Sequence, residues 1–227
     1  MKEEHLLFLS EILFKEKKLM KETSAAHPVT RDVIGGAMSY DEFRLLTNRL
    51  LLDNKTTGSN HSEAMLNYTR MNVHRMNRLD KEPRLLPELL ELLNQTDRKM
   101  YWLVLVEAWC GDVAQNLPVI ARMAGATEQI QLLHLLRDEH PEIMDAFLTN
   151  GGRAIPKLIA LDAETLEILF TWGPRPQEVQ DLTMKLKSEG VAYAEAAVIV
   201  HGWYAKNKTM SLQNEFVVLL EHMMENA

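Results

Sequence analysis

The chain has 227 residues, 46% of them hydrophobic, 25% charged and 7% aromatic, an ordinary balance for a folded globular protein. Its 32 acidic against 25 basic residues leave a net charge of −7, which excludes broad nucleic-acid binding through a dominant basic surface. Its one cysteine, Cys110, excludes an internal disulfide, a multi-cysteine zinc site and a two-thiol redox centre built from this chain alone.

Residues 1–98 read as a helical extension packed on a core. Leu6, Leu9, Leu13 and Met20 share a helical face. The apolar run Leu6–Leu9 is far shorter than the roughly 20 residues of a spanning helix, so no membrane partner and a cytoplasmic location are expected. Ser39 with Glu42 is a capping-box signal, and Phe43, Leu46 and Leu50 follow at helical spacing. Asn54–Asn60 reads as a loop, and Ser62 is placed to cap the next helix. Along that helix Met65, Tyr68, Met76 and Leu79 are expected to share the buried face. Arg70, His74 and Arg78, with Arg75, Lys81 and Arg84, form a basic stripe. It reads either as a solvated face paired with Asp80 and Glu82, or as an anion site for glutathione carboxylates or an acidic segment. Pro83 and Pro87 end this helix and open one carrying Leu89, Leu90, Leu92 and Leu93.

The stretch 99–189 changes character. Trp102–Val106 is a continuous apolar run, as in a strand buried on both faces. A helix carrying Pro118 follows over 113–124, then a second apolar run over Ile130–Leu136. His134 within that run reads as a hydrogen-bonded core histidine. Residues 142–148 read as helix, 155–161 and 166–170 as strands, and Pro176 opens a helix running to about Glu189. Residues 190–227 read as two further helices, broken at Asn207 and Lys208. The eight histidines show no helical zinc-site spacing, so no metal is expected.

Three landmarks occur in order: Ala108-Trp109-Cys110-Gly111-Asp112-Val113 after the first strand, Pro118 within the helix, and Gly151-Gly152-Arg153-Ala154-Ile155-Pro156 before the third strand. This stretch resembles the thioredoxin superfamily. With Trp172-Gly173-Pro174-Arg175-Pro176, it looks most like a bacterial thioredoxin-like subgroup with a helical N-terminal extension. The resemblance implies an α/β fold, a mixed sheet flanked by helices, with the terminal helices added. It also implies Cys110 as the catalytic position and a cis peptide bond before Pro156. A substrate surface then follows from Trp109, Gly111, Asp112, Ile155 and Pro156, with Ile155 offering backbone groups to an extended peptide.

The departures are equally specific. Val113 stands where the family's resolving cysteine would be, so a mixed disulfide at Cys110 has no second thiol in this chain to resolve it. The family's buried acid is absent from the strand, and Glu107 is the nearest carboxylate to stand in for it. Glu107, Val113 and Arg153 are therefore accessory candidates. A helix N-terminus lowers a thiol pKa, whereas the charge of Asp112 raises it. Two functions remain open: monothiol exchange with glutathione or a partner thiol, and a non-catalytic module that binds an extended peptide or protein. No bound cofactor is expected, glutathione being the one candidate, and a homodimer is compatible with either function. The loop Lys55–His61 and the helix bearing Arg70, His74 and Arg78 are expected near Cys110.

Overall fold

A computed structural model of the chain describes residues 27–81 and 84–225. The helical reading of Leu6–Met20 and the roles given to Glu82 and Pro83 lie outside the described residues. Four helices precede the sheet: α1 (Arg31–Gly36), α2 (Tyr40–Leu52), α3 (Glu63–Leu79) and α4 (Pro87–Gln95). Then follow β1 (Met100–Val106), α5 (Gly111–Ala124), β2 (Ile130–Leu136), α6 (Pro141–Ala146), β3 (Lys157–Asp162) and β4 (Ile168–Trp172). The helices α7 (Gln177–Ser188), α8 (Tyr193–Asn207) and α9 (Met210–Glu225) close the described chain.

The sheet has the order β2-β1-β3-β4. β1 runs parallel to β2, pairing Val104 with His134, and antiparallel to β3, pairing Val104 with Leu158. β3 and β4 are antiparallel. The three apolar runs thus share one mixed sheet flanked by helices. Strand β1 lies in its interior, with Trp102 through Val106 fully buried. That placement explains why the run lacks the alternation of a half-exposed strand.

The sheet, the helices before and within it, and α9 share one core, while α7 and α8 pack on each other in a second cluster around Val179, Leu186, Val200 and Tyr204. Trp102 on β1 meets Phe216 on α9 at 5.2 Å between ring centroids, and Phe170 on β4 stands edge-on to Phe216 at 6.3 Å. Phe43 of α2 stacks on His134 at 5.9 Å. Leu89 and Leu93 of α4 are fully buried in the same cluster, where α4 packs against α9. Ser39 and Glu42 form the reciprocal capping box that opens α2.

Some local expectations are corrected. Ser62 occupies the cap position of α3 but makes no side-chain cap hydrogen bond. The buried stripe of α3 is Leu66, Thr69, Asn72, Met76 and Leu79, while Tyr68 is exposed and Met65 only half-buried. Asp80 pairs with Arg44 of α2 and accepts from Tyr40, instead of serving the basic stripe. Arg70 pairs with Glu63 at 2.9 Å. The third and fourth strands begin two residues later than expected, because Ile155 and Pro156 lie before β3 and residues 166–167 belong to the turn before β4. Residues 147–148 lie outside α6.

Candidate functional site

The turn joining β1 to α5 puts Cys110 at the N-cap of α5. The N-terminal region holds this turn from behind. Thr57 Oγ1 accepts from the Ala108 N–H at 2.9 Å, and Asn72 Nδ2 donates to the Ala108 carbonyl at 2.9 Å. Both backbone polar groups of the buried Ala108 are thereby satisfied by residues more than thirty positions upstream. Gly58, at φ +75°, approaches closely enough that a Cβ there would lie 2.8 Å from Asp138 Oδ2 and 3.6 Å from Trp109 Nε1. The Arg137 guanidinium lies over the Trp109 ring, 4.9 Å from its centroid.

The Ile155–Pro156 bond is cis, as is Gly173–Pro174. Ile155 is brought against Cys110, whose thiol donates to the Ile155 carbonyl at 3.3 Å. Ile155 is only 5% exposed and Pro156 is also buried. The carbonyl to which the resemblance gives a peptide-pairing role is thus occupied by the thiol.

The other wall comes from the C-terminal helices. Asp112 receives Arg175 Nη2 at 2.5 Å and the Tyr204 hydroxyl at 2.8 Å. Asn116 Nδ2 donates to Tyr204 Oη at 3.0 Å, and Arg175 Nη1 donates to Thr183 Oγ1 at 2.8 Å. Burial pushes the Asp112 carboxyl upward, but the guanidinium and the phenol oppose this and favour its charged form. Above Gly111, His201 of α8 and Arg75 of α3 come together, and a Cβ on Gly111 would lie 3.3 Å from His201 Cε1. Burial and then the Arg75 charge depress His201 to about 4, leaving it neutral at physiological pH.

Burial raises the Cys110 thiol to about 12, with the Asp112 charge acting in the same direction. The backbone N–H groups of Val113 and Asp112, and then Arg175, oppose that rise without overcoming it. Desolvation of a thiolate outweighs the helix terminus here. Val113 is buried beside the thiol position.

The accessory candidates divide. Glu107 is buried, accepts from the Asp138 N–H at 3.0 Å, and is pushed upward mainly by burial. It supports the turn beneath Trp109. Arg153 is exposed and pairs with Asp145 at 2.6 Å, so its guanidinium serves the outer surface. His61 accepts from the Thr56 N–H at 3.4 Å within its own loop. Arg175, Tyr204, Asn116, Thr57 and Asn72 are site residues that the sequence reading did not single out. Arg175 lay within a motif already noted, and Thr57 and Asn72 lie in the loop and the helix expected near Cys110, which the structure does bring against its turn. Among the described residues, no group of three His, Cys, Asp or Glu is placed to hold a metal ion, and no helix is long and apolar enough to cross a membrane.

A family model described as Thioredoxin matches residues 58–188. Among solved structures, a protein of unknown function from Pseudomonas aeruginosa is 21% identical with a TM-score of 0.50, over 82% of this chain and 98% of that one. An HIV epitope scaffold is 19% identical with a TM-score of 0.47, over 84% of this chain and 99% of that one. At these identities the likeness concerns the fold alone. No curated protein matches the chain. The family match runs from the loop that braces the Cys110 turn through α7, more than half of the chain, and the chain belongs to the thioredoxin family.

Proposed function

We propose that this protein is a non-catalytic thioredoxin-fold module that binds a protein partner beside Cys110. The observation that carries this reading is the setting of the thiol: it donates to the Ile155 carbonyl, burial and the Asp112 charge both push its pKa up, and the chain has no second cysteine to resolve an adduct. The partner surface is supplied by side chains instead of the occupied Ile155 carbonyl. Helix α8 is apolar on nearly every side yet buries only Val200 and Tyr204. Tyr193 and Val198 on it are 77% and 73% exposed. Tyr193 lies near enough to Tyr68, Cys110 and Asp112 for each to raise its hydroxyl pKa, after the larger effect of partial desolvation of the hydroxyl, although the residue as a whole is mostly exposed. An apolar helix surface left uncovered at a site mouth is the pattern of an interaction surface.

A second reading, monothiol exchange, is favoured by the helix N–H groups and Arg175, which pull the thiol pKa down. In that reaction the Cys110 thiolate attacks a sulfur of glutathione disulfide. The S–S bond breaks, and one glutathione leaves as its thiolate. The full chain, incubated with glutathione disulfide at neutral pH and weighed intact, is expected to stay unmodified. Rapid formation of a glutathione adduct at Cys110 would establish the exchange reading instead. A photo-crosslinking residue in place of Tyr193 is expected to trap a discrete partner in cells. The same residue in place of Leu52, which is 85% exposed on α2, is not. Equal trapping at both positions, or none at 193, would refute the partner surface.

A further inference from the structure

A cavity of about 380 Å³ lies between α3, α5 and the corner joining α8 to α9, and Cys110 is not among its lining residues, although Asn116 and Tyr204 link it to the Asp112 network. Its volume falls within the range of small-ligand sites, about 300–1,000 Å³. Its floor is buried and apolar, supplied by Leu79, Pro176 and Leu212. The Trp203 ring lines one side, held edge-on to Tyr204 at 5.3 Å. The polar groups of the floor are satisfied within the protein. Gln213 accepts from the Leu86 N–H at 2.7 Å and donates to Thr209 Oγ1 at 2.9 Å, while Asn116 is bonded to Tyr204. The floor therefore asks for an apolar body, not for further hydrogen bonds.

The rim has the opposite character. Arg78, Arg84 and Lys208 line the cavity and are exposed, and among the described residues no carboxylate lines it. On a chain of net charge −7, this gathers three cations around one apolar hollow. Lys208 and Thr209 both have positive φ, 50° and 70°, and this backbone turn brings Lys208 to the rim.

We infer that this cavity binds a small organic anion with an apolar body, a carboxylate carried on an alkyl chain or ring. The apolar part fills the space over Leu79 and Leu212, and the carboxylate is held by the Arg84 and Lys208 side of the rim. Desolvation at the mouth strengthens those charge-assisted bonds beyond what the same cations would give on an open surface.

The test uses the full chain with octanoate as the probe, and with 1-octanol and inorganic phosphate as its two halves. Calorimetry is expected to show saturable octanoate binding, at least tenfold tighter than for either half. Replacing both rim cations, Arg84→Gln with Lys208→Gln, is expected to weaken octanoate at least tenfold while leaving the thermal unfolding midpoint in place. Ala205 lines the cavity from an exposed position, so Ala205→Trp is expected to block it without touching the core. Equal binding of octanol would overturn the anion requirement, and equal binding of phosphate would overturn the apolar one. Failure of octanoate to bind, or binding unchanged in both variants, would overturn the site.

Discussion

Alkylation of Cys110 tests the electrostatic reasoning most directly. A thiol at about 12 is ionised at pH 8 in about one molecule in 10⁴, whereas one at its ordinary 9.0 is ionised in about one in ten, so the thiolate is about a thousandfold scarcer. Nucleophilicity rises with basicity with a coefficient of about 0.5, which returns a factor of about 30. The native chain should therefore react with iodoacetamide about 30-fold more slowly than the chain unfolded in denaturant, before any steric hindrance is counted. Asp112→Asn removes the like charge while leaving an oxygen to accept from Arg175 and Tyr204. A nearby charge of this kind shifts a pKa by about one unit, so labelling at pH 8 should rise about three- to tenfold. Stopped-time labelling with mass detection, run from about pH 6 to 10, reads both effects. A rate profile that breaks below about pH 8, or a native chain labelled as fast as the unfolded one, would refute the account.

Three further outcomes follow from the packing. Burial raises Glu215 from 4.5 to about 7, so the folded chain retains a proton that the unfolded chain releases between those values. Its contribution to stability is full below about 4.5 and lost as pH rises through about 7, at most about 3 kcal/mol. His134 and His201, both depressed to about 4, act in the opposite direction, with stability lost as pH falls. Denaturant midpoints of the wild type and Glu215→Gln should therefore differ by an amount that varies between about pH 5 and 8, and a constant difference would contradict the assignment. Gly173 adopts φ +117°, and a Cβ there would lie 2.1 Å from Pro156 O, so Gly173→Ala should cost several kcal/mol, on the order of 3 or more, and disturb the neighbouring Ile155 carbonyl that holds the thiol. This would be read as a lower melting midpoint with faster Cys110 labelling, and a variant of native stability would contradict it. We propose that the chain is one cooperative unit: a fragment of residues 96–227 lacks Phe43, Leu89 and Leu93 from the shared core and should be insoluble or molten, whereas a soluble fragment that unfolds cooperatively would disprove this.

The landmarks around Cys110 and Pro156 were legible because each is a short, contiguous word in the sequence. The strands were legible because a central strand is apolar without interruption. Helix α3 was misread for a physical reason. Thr69 and Asn72 are polar, so an apolar count assigns them to solvent, but their stripe faces the Cys110 turn and Asn72 binds the Ala108 carbonyl. Buried polar residues that serve another segment's backbone interrupt the helical hydrophobic period. The network of Asp112, Arg175 and Tyr204 was hidden by separation, since Tyr204 lies 92 positions from its partner. Even the sign of the thiol shift needed the structure. The sequence carries the opposing effects of a helix terminus and Asp112, and burial, which decides between them, depends on segments distant in sequence such as Ile155 packing against the thiol.

The pairing of Met38 with His134 has a consequence for assembly. β2 is an outer strand, and an outer strand offers unpaired amide groups to any other extended chain. Met38 exchanges two backbone hydrogen bonds with His134, at 2.9 and 2.7 Å, in an isolated antiparallel bridge. One residue of extended chain, fixed between α1 and the capped start of α2, thus stops the sheet from growing in that direction. The upstream helices act as a stopper against sheet-to-sheet polymerisation, and loosening them would open an aggregation route as well as weaken the core.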